Sequence, residues 1–201
     1  MSRWRARPRT LTVLAAGLWL FGTGEAMLVD SRLGNSPWTV LAEGAGEQTG
    51  IGVGTATVAI SFLVLTAWIP LRERPGLGTI ANAIVIGVAI GATLAFLPDL
   101  DGTAARLTEV AVGIGIVAVG SGLYLTCRLG AGPRDGLMLG LHRRTGLSIR
   151  AVRTGIEVTV VALGFVLGGK VGIGTLAFAL AIGPAVQVAL AAIGTTPASE
   201  L

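Results

Sequence analysis

The chain has 201 residues, of which 52% are hydrophobic and 13% charged, with a mean hydropathy of +0.78. Soluble domains carry about a quarter charged residues, so a water-soluble globule is excluded: the chain has too little polar surface to cover itself. The formal charge of +4 and pI near 10.5 come from arginines gathered at the ends of apolar runs, without interleaved aromatics, which marks them as topology signals and excludes a nucleic-acid patch.

Residues 1–10 form a basic start with Arg3, Arg5, Arg7 and Arg9, followed by an apolar run from Leu11 to Val29. A cleaved signal peptide also begins this way. The run is long, however, and its pattern recurs inside the chain at 107–125, so a retained first span is expected. A bilayer core needs about 20 apolar residues in helical form. Six stretches qualify: 11–29, 51–70, 78–97, 107–127, 151–168 and 173–193. Arginine and lysine in the short loops then set orientation. The N-terminus is inside. The 30–50 loop, with Arg32 against Asp30, Glu43 and Glu47, is outside. The 71–77 loop carries Arg72 and Arg74 and is inside; the 98–106 loop carries Asp99, Asp101 and Arg106 and is outside. The 128–150 loop holds five arginines (128, 134, 143, 144 and 150) and is inside. The loop with Lys170 is outside, and the C-terminus returns inside. The expected arrangement is multi-pass, with both termini cytoplasmic.

The chain repeats itself at an offset of 96 positions. Arg32-Leu33-Gly34-x-x-Pro37 returns as Arg128-Leu129-Gly130-x-x-Pro133, Thr49-Gly50 as Thr145-Gly146, and Gly76-x-Gly78-Thr79 as Gly172-x-Gly174-Thr175. Residues 11–97 and 107–193 therefore form two repeats of three spans each within one membrane domain. An odd number of spans turns the second repeat upside down. The predicted fold is all-α: six transmembrane helices as an inverted 3+3 internal repeat, an architecture recurrent in secondary transporters.

Each repeat also predicts a short helix, 36–48 and 132–144. Ser36 is expected to cap the first; proline opens each at a position where its missing N–H costs nothing, and Thr-Gly closes each. About three turns are too few to cross a bilayer. Such a helix lies at the interface, or dips in as a re-entrant element shielded by protein; both readings stay open. The Gly-x-Gly-Thr stretches open the last span of each repeat. They offer either a backbone cradle for an anion or a tight turn with close helix packing.

Two carboxylates, Glu25 and Glu157, are expected within spans, where an ionisable group needs a partner. Arg32 lies seven residues from Glu25, two turns along one face if the helix continues. Arg128, at the end of span four, is the expected partner of Glu157. Asp135 completes a candidate substrate-binding set of Glu157, Arg128, Asp135, Glu25 and Arg32. Asn82 and Gln187 are weaker polar candidates. The backbone motifs place Gly130, Pro133, Gly172, Gly174, Thr175, Gly183 and Pro184 at turns and helix starts. The lone Cys127 and lone His142 have no partners at metal-ligand spacing. No constellation of nucleophile and base appears, so no catalytic residue, metal or cofactor is expected.

The run Gly120 to Leu137 with Arg128-Leu-Gly-Ala-Gly-Pro-Arg-Asp, then Arg153 and Glu157, then Leu167-Gly-Gly-Lys-Val-Gly-Ile-Gly-Thr-Leu and Ile182-Gly-Pro, resembles the YczE/YyaS/YitT family of bacterial integral membrane proteins. The resemblance implies a small polytopic plasma-membrane protein and supplies no reaction. The leading functional expectation is movement of a small solute or ion, with Arg128, Asp135 and Glu157 lining the site. The alternative is a non-transporting accessory protein that assists a partner in biosynthesis or export, with the arginine-rich loop 128–153 as docking surface or anionic-lipid contact. Expected partners are the lipid bilayer, a small molecule or ion, and a second copy of the chain; nucleic acid is not among them.

Overall fold

A computed structural model describes residues 3–98 and 100–193. The first two residues of the basic start, Asp99, and the tail expected to return inside after 193 lie outside the described residues. Eight helices follow one another: α1 (Pro8–Ser31), α2 (Pro37–Thr49), α3 (Val53–Leu71), α4 (Leu77–Leu94), α5 (Thr103–Thr126), α6 (Pro133–Thr145), α7 (Ile149–Val166) and α8 (Ile173–Ala192). No strand occurs among the described residues.

Local chemistry explains the boundaries. Pro8, Pro37 and Pro133 sit in the first turns of α1, α2 and α6, where fixed φ favours the helix and no hydrogen bond is lost. Gly50 and Gly146 close α2 and α6 at φ 75° and 70°, a left-handed stop that glycine takes without steric cost. Both short helices have 13 residues and rise about 20 Å, well below a bilayer core.

Five helices are long and apolar enough to cross a membrane: α1, α3, α4, α5 and α8. The sixth expected span falls on α7, which holds Arg150, Arg153 and Glu157 within 18 residues and does not meet the same standard by composition. Large apolar side chains on the rim, such as Leu63 (68% exposed) and Leu180 (70%), face outward, as lipid-facing residues do in the absence of a hydrophobic penalty.

The centre is the pair α1 and α5. A Cβ added to Gly17 would lie 2.9 Å from the Gly120 carbonyl oxygen, and one on Gly24 would lie 2.5 Å from that of Gly113. Residue number falls along α5 as it rises along α1, so the two helices run antiparallel. Only glycine lets the backbones approach this closely. Around the pair, α4 packs on α1 and α8 on α5, while α2 packs on α7 and α3, and α6 on α3. Leu14, Leu18, Ile86, Ile90 and Tyr124 fill one side of the core; Leu28, Ile114, Val117 and Phe178 fill the other.

The short helices fit their neighbours by trading bulk. Gly136 on α6 lies against the Trp68 ring of α3, whereas Gly164 on α7 lies against the Val40–Leu41 backbone of α2. Positions 40 and 136, like 68 and 164, are 96 apart. Each contact thus has one large and one small partner, in opposite helices.

Candidate functional site

The start of α2 is built around Glu25. Its side chain is 0% exposed. Oε2 accepts hydrogen bonds from Ser36 Oγ at 2.7 Å and Thr39 Oγ1 at 2.6 Å. Ser36 occupies the N-cap position, yet its side chain makes no cap bond to the helix backbone; its proton goes to Glu25 instead. The carboxylate thereby sits at a helix N-terminus, the end whose dipole favours negative charge. Oε1 is buried and has no hydrogen-bond partner, which is costly for a charged oxygen away from water.

The start of α6 faces the start of α2. Tyr124 OH of α5 donates to Asp135 Oδ2 at 2.9 Å. The Arg134 guanidinium lies over the Trp38 ring, 5.1 Å from its centroid. Of the charges acting on Arg134, Glu25 is the strongest opposite one, followed by Asp135, with Glu157 weaker. Asn82 of α4 borders the same place through Gly132. Positions 25 and 39 hold Glu and Thr, whereas 121 and 135 hold Ser and Asp. Carboxylate and hydroxyl have exchanged places between the halves.

The two short helices enter the protein at their beginnings and leave it at their ends. Pro37 and Pro133 are buried, whereas Gln48, Thr49, Arg144 and Thr145 are exposed. Trp68 Nε1 donates to the Pro133 carbonyl at 3.0 Å and fixes the entry of α6.

The Arg-Leu-Gly and Gly-x-Gly-Thr motifs lock into each other across the halves. Gly78 N–H donates to Leu129 O at 2.9 Å, and Gly174 N–H donates to Leu33 O at 2.8 Å. Thr79 Oγ1 accepts from Gly76 N–H and donates to Ala131 O at 2.7 Å. Thr175 Oγ1 accepts from Gly172 N–H at 3.3 Å. Gly34 (φ 110°) and Gly130 (φ 121°) hold the loops in a form that only glycine adopts readily. The anion-cradle reading of Gly-x-Gly-Thr is therefore corrected: these N–H groups are spent on the opposite loop and on threonine.

Other expected site residues fall elsewhere. Arg128 is exposed, in a left-handed turn after α5 (φ 52°), and forms no ion pair with Glu157 among the described residues. The expected inner pair is thus corrected. Glu157 instead accepts from Arg153 Nε at 2.9 Å, one turn away on a partly exposed face of α7. Helix α1 ends at Ser31, so Arg32 occupies the left-handed C-cap at φ 58° and does not continue the face of Glu25. Gly183, Pro184 and Gln187 lie on the exposed side of α8.

Two buried acids escaped the sequence reading as site residues. Glu43, 4% exposed, accepts from Asn35 Nδ2 and from Lys170 N–H, both at 2.7 Å, and lies 3.3 Å from Lys170 Nζ. Only its place on a short helix distinguished it in sequence. Glu109, 4% exposed with one unpartnered oxygen, sits beside Asp30, at the third position of the expected span 107–127. The signal available for the α2 cluster was Ser36-x-x-Thr39, two hydroxyls one turn apart at a helix start. Among the described residues no group of three His, Cys, Asp or Glu side chains could hold a metal ion.

Apolar helices of spanning length around a glycine-packed antiparallel pair define an integral helical membrane protein. The model of the family of unknown function DUF6198 matches residues 8–191, and the chain belongs to that family. An uncharacterized protein of Haemophilus influenzae is 44% identical over 98% of this chain and 90% of its own length. The uncharacterized membrane protein YczE of Bacillus subtilis is 30% identical over 86% of this chain and 81% of its own. The uncharacterized protein YyaS of the same organism is 27% identical over 80% and 82%. The resemblance read from the motifs is thus borne out for YczE and YyaS. No solved structure matches the chain.

Proposed function

We propose that the chain moves a small solute or ion across the bacterial plasma membrane, through a site where the starts of α2 and α6 meet between two inverted repeats. In this reading α7 is the sixth span, α2 and α6 are re-entrant, and both termini are cytoplasmic. The offset of 96 supports the repeat: α2 and α6 begin 96 residues apart, as do α3 and α7, and α4 and α8. The antiparallel run of α1 against α5 supports the inversion. The pairs Gly17–Gly120 and Gly24–Gly113 centre the crossing between residues 20 and 21 of α1. Glu25 then lies roughly 7 Å from the centre, at 1.5 Å per residue.

The observation that carries the reading is Glu25: wholly buried, with one carboxylate oxygen unpartnered, beside the cation of Arg134 and at the mouth of a short helix. Ionisable groups at such depth mark substrate or ion paths, and paired half-helix starts recur at transporter sites. Thermal stability of the detergent-purified chain, screened against small metabolites and ions, tests it. A ligand that binds only the folded state raises the melting temperature. The expected hit is lost in Glu25→Gln and kept in Glu157→Gln, whose residue belongs to the α7 rim.

One observation favours the accessory reading. Two surface cavities, one lined by Trp19, Thr93 and Phe96 and the other by Arg3, Arg72 and Arg74, lie away from Glu25, and glycine contacts close the α1–α5 seam. If no small molecule stabilises the protein and Glu25→Gln merely lowers stability, that reading prevails and Glu25 is the structural anchor of α2.

A further inference from the structure

A second polar site lies where α3 ends and α1 and α4 begin. A cavity of about 500 Å³ there is lined by Arg3, Trp4, Arg72, Glu73, Arg74 and Pro75. Its shape is fixed by backbone bonds. Arg3 O accepts from Leu77 N–H at 3.0 Å, and Arg3 Nη1 donates to Arg74 O at 3.2 Å. Arg72 terminates α3 in a left-handed turn (φ 56°), which turns the chain back into the cavity wall. The acid in the wall is already spent: Glu73 pairs with Arg143 of α6. Three guanidinium groups therefore line one cavity, and its lining carboxylate is committed elsewhere.

The surroundings say which anion fits. The cavity sits at the ends of three apolar helices, where their spanning-length runs stop and charged residues begin. Trp4 is 56% exposed beside it, and Ile69, one turn back on α3, is 78% exposed. Tryptophan prefers this headgroup level, and an apolar flank below it suits an acyl chain. Arginine forks match phosphate oxygens, and basic groups at the membrane surface attract anionic lipid.

We propose that this cavity binds the phosphate headgroup of an anionic phospholipid, held by Arg3, Arg72 and Arg74 with Trp4 at the rim. The site is separate from the Glu25 cluster and stands whether or not the chain transports anything.

Native mass spectrometry of the delipidated full-length chain tests this, with equal amounts of phosphatidylglycerol and phosphatidylcholine supplied in micelles. Phosphatidylglycerol should be retained preferentially. Arg74→Gln and Arg72→Gln should each reduce that preference, by about fivefold per arginine, with unchanged melting temperature in phosphatidylcholine. Arg150→Gln, outside the cavity, should leave it intact. Equal retention of the two lipids would overturn the proposal, as would preference unchanged in both cavity variants. Soluble glycerol phosphate should not stabilise the protein at millimolar concentration; stabilisation equal to that from the lipid would overturn the lipid assignment in favour of a soluble anion.

Discussion

Trp38 and Arg134 lie 96 positions apart in the chain and 5.1 Å apart in space, ring centroid to guanidinium carbon. Each is the residue after the proline that opens a short helix. In the proposed reading of two inverted repeats, matching positions would meet only on the axis that relates them, and this contact would mark that axis.

The contact also ties Arg134 to Glu25. Arg134→Gln removes a cation whose strongest opposite charge is the fully buried Glu25. Adding Glu25→Gln should return part of the lost stability. The expected coupling in a double-mutant cycle is about 0.5–3 kcal/mol, the range for groups in one network. Equilibrium unfolding in mixed micelles measures it; strictly additive effects would show that the two groups do not act on each other.

The α1–α5 seam should tolerate no added bulk. Gly24→Val places methyl groups against the Gly113 carbonyl and Val117, and overpacking of this kind costs about 1–3 kcal/mol or more. Gly115→Ala, on α5 but facing open space, should change stability by less than about 0.5 kcal/mol. Comparable losses in both variants would mean that helix flexibility, rather than backbone approach, is what these glycines provide.

Trp68 and Gly136 form a bulk-for-space pair whose counterparts are Gly164 and Val40. Trp68→Ala should cost about 3–5 kcal/mol through the cavity left beside α6 and the lost bond to Pro133 O. Gly136→Val on its own should also destabilise. Together they should fare better than the sum, because the new side chain fills the space the ring has left. The melting temperatures of the three variants decide this.

At the latch on α2, Glu43 and Lys170 should differ in weight. Glu43→Ala strands the buried Asn35 amide and the Lys170 N–H and should cost about 2–3 kcal/mol. Lys170→Met removes only an ammonium whose side chain is 51% exposed, worth about 1 kcal/mol or less. Equal losses would make the ion pair, not the buried hydrogen bonds, the principal fastening.

The helix pattern was readable because hydropathy, proline starts and glycine stops are local signals. Pro37, Gly50, Pro133 and Gly146 bound the short helices within a residue of the expected 36–48 and 132–144. Charge at depth was read less well. Glu25 stood out as a lone acid in an apolar run, but its partners Ser36 and Thr39 are common residues whose meaning depends on how α2 folds back onto α1. The pairing of Arg128 with Glu157 failed because sequence spacing across a loop does not fix direction, whereas Arg153 is held one turn away on the same helix. Arg134 was read as one of several loop arginines; the α6 start that carries it inward is set by Trp68, 65 positions upstream.

The mutual clasp of the motifs bears on synthesis order. The loop at 128–133 meets Gly76-x-Gly78-Thr79, a surface already made when that loop leaves the ribosome. The loop at 32–37 must wait for Gly174, some 140 residues later. The first four helices thus pass through insertion with one clasp open and the carbonyl of Leu33 unclaimed. Only the arrival of α8 closes it, so a turn made early is completed by a helix made much later.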